Sequence, residues 1–275
     1  MPEPEFEYKE FMENTAKTAG EMALSYLGKA KVSYKAAKNA VTEADLAIDK
    51  FITGKIKETY PEHDIVSEEF SHPDTEAEYV WFIDPIDGTT NYSHGDHNFG
   101  ISIALAKNGK VIAGCIYLPV LDHMYYAEEN KGAYRNNEPV SVSENKDLYT
   151  SMIEMGISHK DEAVDDSLKL VKSLVVSADR ARDSGFSVGQ LASVALGSSE
   201  GYVKFSQHPW DIAAGIVIAK EAGGKITDMT GNEILLKGGK RFNIIVSNTH
   251  LHQELIDAVK KADLKIMSEE NFDWY

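Results

Sequence analysis

The sequence predicts an α+β fold, and three features carry that expectation. Two stretches with apolar residues at three- and four-residue spacing open the chain, an Asn-Gly turn sits between two β-rich runs in its middle, and strand-like and helix-like segments alternate from residue 151 onward.

Residues 5 to 27 place Tyr8, Phe11, Met12, Thr15, Ala19, Met22, Ala23 and Tyr26 on one helical stripe. Gly28 and the lysines Lys29, Lys31, Lys35 and Lys38 follow as a loop or ragged hairpin. Thr42 then caps a second helix, with Asp45 three residues on, and Ala44, Ile48, Phe51, Ile52 and Ile56 form its buried face up to Pro61. Ile65-Val66 and Tyr79-Val80-Trp81-Phe82-Ile83 read as strands, the second ended by Asp84-Pro85-Ile86-Asp87-Gly88. Phe99 to Ala106 and Val111 to Leu118 flank Asn108-Gly109 as a hairpin, and Met124 to Tyr126 pairs with Gly132 to Tyr134.

In the second part, Ser151 to Met155 reads as a strand and Asp161 to Leu174 as a helix. A short strand is expected near Val175-Val176, then a small-residue helix over Val188 to Leu196. Tyr202 to Phe205 is a strand, Trp210 to Ala222 a helix, Lys225 to Thr227 and Phe242 to Val246 strands, and Thr249 to Lys261 a final helix. With no repeat and no Gly/Ser linker, residues 1–148 and 149–275 are expected to pack as one unit.

Composition limits the function. The 275 residues hold 28 Lys+Arg against 44 Asp+Glu, a net charge of −16, which argues against nucleic acid or an anionic membrane as the main partner. The single cysteine, Cys115, excludes an intramolecular disulfide and a multi-cysteine zinc site, and its apolar strand makes it a core residue rather than a nucleophile. No apolar run approaches the roughly 20 residues that span a bilayer. The acidic start Met1-Pro2-Glu3-Pro4-Glu5 lacks a signal pattern, so a cytoplasmic protein is expected.

The densest chemistry lies in Asp84-Pro85-Ile86-Asp87-Gly88-Thr89-Thr90. A buried strand delivers two carboxylates at its end, Pro85 keeps the chain from turning helical between them, and the Ile86 carbonyl joins them as a hard oxygen ligand suited to Mg²⁺. Gly88 allows close backbone approach, and the amides of Gly88, Thr89 and Thr90 could open a helix, an electropositive place for a phosphate. Taken alone, the stretch is equally a strand, an Asp-Gly turn and a cap. Glu68, Asp211 and Asp45 stand at other element ends. Asp211 and Asp45 are by themselves capping acids and Glu68 ends a short apolar piece, but clustered the three would form an anionic pit that only cations relieve.

Ile83-Asp84-Pro85-Ile86-Asp87-Gly88-Thr89-Thr90-Asn91-Tyr92 with His94-Gly95, and Trp210-Asp211-Ile212-Ala213-Ala214-Gly215 with Glu221-Ala222-Gly223-Gly224, resemble the two signatures of the inositol monophosphatases. Val41-Thr42-Glu43-Ala44-Asp45, Ser67-Glu68-Glu69 and Lys131-Gly132-Ala133-Tyr134 fit between them, so that the resemblance runs from about residue 8 to 260. It implies a layered αβαβα sandwich of the inositol monophosphatase/fructose-1,6-bisphosphatase type, and hydrolysis of a small phosphate monoester with two or three Mg²⁺ ions. By motif position, Glu68, Asp84 and the Ile86 carbonyl would hold one ion, Asp84, Asp87 and Asp211 a second, and Glu68 a weaker third through water. Asp45 and Thr89 would activate the attacking water, with Glu68 also on the catalytic side, and Gly88, Thr89 and Thr90 would hold the phosphate. Paired ions suit in-line attack because they neutralise both attacking and leaving oxygens. The resemblance further implies lithium sensitivity, a homodimer and a small phosphorylated metabolite as partner.

Inositol monophosphate or a similar polyol or sugar phosphate is the leading substrate. Thr90, where the nucleotide-bisphosphate branch tends to carry Lys, leans the same way. Lys204 stands where the family often has a hydroxyl-binding Glu. If it faces the site it favours a second anionic group, as in fructose 1,6-bisphosphate, 3′-phosphoadenosine 5′-phosphate or NADP; otherwise it is an exposed strand lysine. Ser187 is a further substrate contact, in Arg182-Asp183-Ser184-Gly185-Phe186-Ser187, where Phe186 replaces a usual small residue. His94 and His97 read as loop histidines, and Lys35 or Lys38 as a possible neighbour of the metal site. A regulatory binding protein is the reading from outside enzymology, opposed by the joint presence of Asp45, Glu68, Asp84, Asp87, Thr89 and Asp211. The acidic, aromatic tail Glu269 to Tyr275 fits disorder or a docking role.

Overall fold

The computed structural model describes residues 6–36, 39–70, 77–157, 161–236 and 240–264. Lys38 and the Glu269–Tyr275 tail lie outside them, as does the side chain of Lys35.

The outermost layer is a helix pair. α1 (Lys9–Tyr26) buries Met12, Ala16, Ala19 and Ala23, whose spacing forms one stripe. A two-stranded hairpin, β1 (Val32–Ala36) with β2 (Asn39–Thr42), leads into α2 (Glu43–Thr59). Thr42 and Asp45 form a reciprocal capping box at its start. Together α1 and α2 cover one face of a seven-stranded sheet in the order β3-β4-β5-β6-β7-β8-β9. Its strands are β3 (Asp64–Ser67), β4 (Tyr79–Asp87), β5 (Gly100–Lys107), β6 (Lys110–Leu118), β7 (His123–Glu128), β8 (Ala133–Arg135) and β9 (Glu138–Pro139). Among the described residues of this sheet, only β3 and β4 pair parallel; the Asn108-Gly109 turn between β5 and β6 has both residues at positive φ (52° and 81°), as a type I′ hairpin needs.

A second, five-stranded sheet has the order β11-β10-β12-β14-β13. It is built from β10 (Met152–Met155), β11 (Arg180–Arg182), β12 (Gly201–Gln207), β13 (Lys225–Asp228) and β14 (Phe242–Ser247). Between the sheets lie α5 (Ser187–Ala195) and α6 (Pro209–Glu221), and outside the second sheet lie α4 (Asp161–Ser177) and α7 (His252–Lys261). The result is an α+β sandwich of five layers, αβαβα. Strand alternation divides the core accordingly: Trp81 and Ile83 pack against α1 and α2, while Val80 and Phe82 face the central helices. On β12, Tyr202 faces the central layer and Val203 and Phe205 face α4 and α7.

Val175-Val176 is not a strand. Both close α4 on its solvent side, 56% and 73% exposed, and the strand expected there is Arg180–Arg182. The β-branched pair mimics a strand locally, but the apolar stripe that holds α4 in place runs through Leu170 and Leu174.

Candidate active site

β4 does not stop before the aspartates but runs through them to Asp87. Pro85 cannot donate to the ladder, and the pairing with β5 slips between Asp84 and Asp87, which re-aims both carboxylates at the same end of the sheet. Asp84 is 2% exposed and Asp87 8%. Asp84 Oδ1 accepts the Ile86 N–H at 3.0 Å, which fixes the loop between them. The chain then turns at Gly88, whose φ of +89° is left-handed, into the short helix α3 (Thr89–Ser93). A Cβ on Gly88 would lie 2.7 Å from the Asn98 carbonyl oxygen and 2.9 Å from Phe186 Cβ, so the position requires glycine for space as well as conformation.

Two other elements complete the acid cluster. The capping geometry at α2 aims Asp45 inward: its Oδ2 accepts the Thr42 N–H at 2.9 Å, leaving Oδ1 for the Thr89 hydroxyl at 3.1 Å. That hydroxyl also stands 3.0 Å from the Ile86 carbonyl, and its one proton serves one acceptor at a time. Asp211 enters on the first turn of α6, where Pro209 starts the helix and Asp211 Oδ2 accepts the His208 N–H at 2.9 Å. Ser102 of β5 donates to the Trp210 carbonyl at 3.2 Å, tying this turn to the first sheet.

One ligand atom from each of Asp84, Asp87 and Asp211 falls within 4.8 Å of the others. Glu68, just past β3 and hydrogen-bonded through its N–H to the Ile83 carbonyl, is not part of that trio but acts on Asp84 through its charge. Burial, followed by the charges of Glu68, Asp87, Asp211 and Asp45, holds the Asp84 carboxyl well above the usual carboxylate range. Asp87 is pushed up to about 7 by burial and then by Asp211, with Lys204 and the backbone opposing. Burial also raises Asp211, against Lys204, the His208 amide and Arg241, and burial raises Asp45.

The second sheet and α5 supply the other wall. The Val188 N–H donates to Asp87 Oδ2 at 2.7 Å, one residue after Ser187. Ser187 Oγ accepts from Lys204 Nζ and donates to Gln207 Oε1, both at 2.9 Å, and the Tyr202 hydroxyl donates to the same Oε1 at 3.0 Å. Gly88 and Thr89 are half-buried and Thr90 is exposed, at the turn that follows the aspartates. His94 Nδ1 lies 2.9 Å from the Thr90 carbonyl, an ordinary local contact. Cys115 is buried in β6.

Sequence reading missed several contributors. Asp49, one turn after Asp45 on the buried face of α2, is fully buried and accepts the Glu69 N–H at 3.1 Å, holding the segment that carries Glu68. The four-residue spacing of Asp45 and Asp49 was a usable signal. Arg241, just before β14, puts a positive charge near Asp211 while its Nη1 donates to the Ser206 carbonyl at 3.0 Å. Gln207 and the Val188 amide had no local signature.

Buried, close-set carboxylates with raised pKa values are unfavourable alone and are the oxygen-only donor set that a hard divalent cation takes. The residues present therefore fit such an ion. A sequence profile of the inositol monophosphatase family matches residues 6–264. Fructose-1,6-bisphosphatase/inositol-1-monophosphatase of Thermotoga maritima is 36% identical over 225 residues, covering 82% of this chain and 84% of its own. Nus factor SuhB of Pseudomonas aeruginosa is 33% identical over 254 residues, 89% of this chain and 93% of its own. The solved structure of a Thermotoga maritima IMPase superposes with a TM-score of 0.84 at 33% identity, covering 94% of this chain and 98% of that one. No helix among the described residues is long and apolar enough to cross a membrane.

Proposed function

The chain belongs to the inositol monophosphatase family of phosphatases, and from that premise we propose that it hydrolyses a small phosphate monoester, inositol monophosphate or a similar polyol or sugar phosphate, with Mg²⁺. The observation that carries this is the meeting of Asp84, Asp87 and Asp211 beside the Asp45–Thr89 pair. Bound at these carboxylates and at Glu68 and the Ile86 carbonyl, Mg²⁺ supplies charge neutralisation at the phosphoryl group and a more acidic water.

The chain's own groups do the rest. The Thr89 hydroxyl takes a proton from the attacking water as it passes its own to Asp45 Oδ1, and the burial that raises the Asp45 pKa makes it the better acceptor. The amides of Gly88, Thr89 and Thr90 face the phosphate, since the first amides of a helix have no partner within it. Asp87, held by Val188, ties residues 1–148 to 149–275, which supply Asp211, Ser187 and Lys204; the two halves work as one unit. The working form is a lithium-sensitive homodimer in the cytoplasm, by family resemblance.

Phosphate release in Mg²⁺ buffer against inositol 1-phosphate, fructose 1-phosphate, fructose 1,6-bisphosphate, 3′-phosphoadenosine 5′-phosphate and histidinol phosphate is the test. Turnover that EDTA abolishes is expected. A folded protein that binds Mg²⁺ and turns over none of them overturns the proposal.

A further inference from the structure

Lys204 occupies an unusual place for a lysine. Strand alternation sets it on the same side of β12 as Tyr202, toward the central helices, where a strand normally buries an apolar group. Its stem runs across Gly156, the buried residue after β10. A Cβ there would lie 2.3 Å from Lys204 Cε, 2.5 Å from Cδ and 2.7 Å from Cγ, so the missing side chain at 156 opens the path. The stem ends with Nζ 2.9 Å from the buried Ser187 Oγ, one residue from the amide that holds Asp87. A solvated strand lysine needs neither the glycine groove nor a buried serine.

Among the described residues, the ammonium makes this hydrogen bond and has no carboxylate within 4.0 Å. An ammonium has three N–H bonds, so donors remain for an incoming anion. The charge reaches both Asp87 and Asp211, which places it beside the phosphoryl site. Arg241 adds a second positive charge on Asp211, and its buried Nε has no partner among the described residues.

Resting on the hydrolytic activity proposed above, we propose that Lys204, threaded past Gly156 and seated on Ser187, forms an anion subsite, so that among the sugar phosphates of that reading this chain prefers those whose leaving group carries a second phosphate. A charge-assisted hydrogen bond at such a site discriminates by roughly 10- to 100-fold.

Fructose 1,6-bisphosphate and fructose 1-phosphate share the ester at position 1 and differ by the second phosphate. The wild type should show about tenfold or higher kcat/KM for the bisphosphate. Lys204→Met should reduce that preference about tenfold or more, mainly through KM. Lys204→Arg should keep much of it, and Gly156→Ala, which blocks the stem, should lower it. Any change in the shared phosphoryl step cancels in the ratio. No preference in the wild type, or one unchanged in a folded Lys204→Met protein, overturns the subsite; the latter leaves Lys204 as a counter-charge to the acid cluster. Calorimetric binding of the two corresponding non-hydrolysable phosphonates in Mg²⁺ buffer separates this proposal from the hydrolytic one. Tighter bisphosphonate binding that Lys204→Met abolishes supports the subsite even if neither sugar phosphate is turned over, which would overturn only the hydrolytic proposal. Equal binding of the two overturns the subsite even if both are hydrolysed. Should Lys204→Met not fold, the salt dependence of the wild-type preference is the substitute: a preference that does not weaken with added salt contradicts an ionic subsite.

Discussion

Asp87→Asn should make the metal-free protein more stable, not less. Burial and Asp211 hold the Asp87 carboxyl at about 7 against an ordinary 3.8. At about 1.4 kcal/mol per pKa unit, the ionised side chain costs the empty fold roughly 4 kcal/mol once the pH is above 7. Because the folded-state pKa is raised, the folded chain keeps a proton that the unfolded chain has already lost, and stability falls as pH rises from about 4 to 7. Asn carries no such charge and still offers an oxygen to the Val188 N–H, 2.7 Å from Oδ2 in the wild type. The advantage of the variant should therefore grow between pH 5 and pH 8. An isolated carboxyl would give roughly 3 kcal/mol; the variant also relieves nearby Asp84, whose pKa is raised partly by Asp87, so the gain should be no smaller than this. Urea unfolding of both proteins in EDTA at the two pH values measures it. Saturating Mg²⁺ should reverse the order, because only the wild type keeps its ligand set. A variant less stable than wild type in EDTA at pH 8, or an advantage that does not change with pH, refutes the reasoning.

Other substitutions probe the surrounding parts. Gly88→Ala must adopt a φ of +89° and crowd the Asn98 carbonyl, so urea unfolding should show a loss of about 2–4 kcal/mol; a loss below about 0.5 kcal/mol would mean the turn relaxes freely. Thr89→Val keeps the shape and deletes the hydroxyl that bridges Asp45 and Ile86; kcat should fall about 100-fold or more while Thr89→Ser stays near wild type. Equal rates for the Val and Ser variants would remove Thr89 from the proton path. His252, buried between the Thr227 and Ser247 hydroxyls at 2.8 Å each, has its pKa lowered to about 4 by burial. Its folded pKa is depressed, so stability is full above the unfolded value of 6.5 and drains as pH falls toward 4, by roughly 3 kcal/mol. The stability gap between wild type and His252→Gln should close over that window, and a constant gap would show that the ring is charged in the fold.

What the sequence made legible was whatever local chemistry settles. The Asn108-Gly109 turn, the Thr42–Asp45 capping box and the stripe of α1 all depend on residues a few positions apart, and each lies where the spacing predicts. The Val175-Val176 misreading came from the same locality: two β-branched residues look like a strand unless the whole stripe of α4 is considered. β4 continues through Pro85 because the slip against β5, a partner not visible from β4 alone, accommodates it. The aspartates of the site were legible as motif residues. Their supports were not, since Val188 contributes a backbone amide, Gln207 acts through two hydroxyls, and Arg241 acts on Asp211 by charge from a distant point of the sequence.

The central helix layer leaves the ribosome well after the sheet that it covers. Val80, Phe82, Ala104 and Ile116 face Val188, Leu191, Ala213 and Val217, about 100 residues further along the chain. At ordinary translation speeds of ~5–20 residues per second, that apolar face waits roughly 5–20 s for its cover. Until then the apolar residues on that side of the sheet have no partner to pack against. Asp211 arrives with the same late segment, so the acidic cluster closes only when the hydrophobic seam does, and a half-made chain carries neither the full ligand set nor a covered inner sheet face.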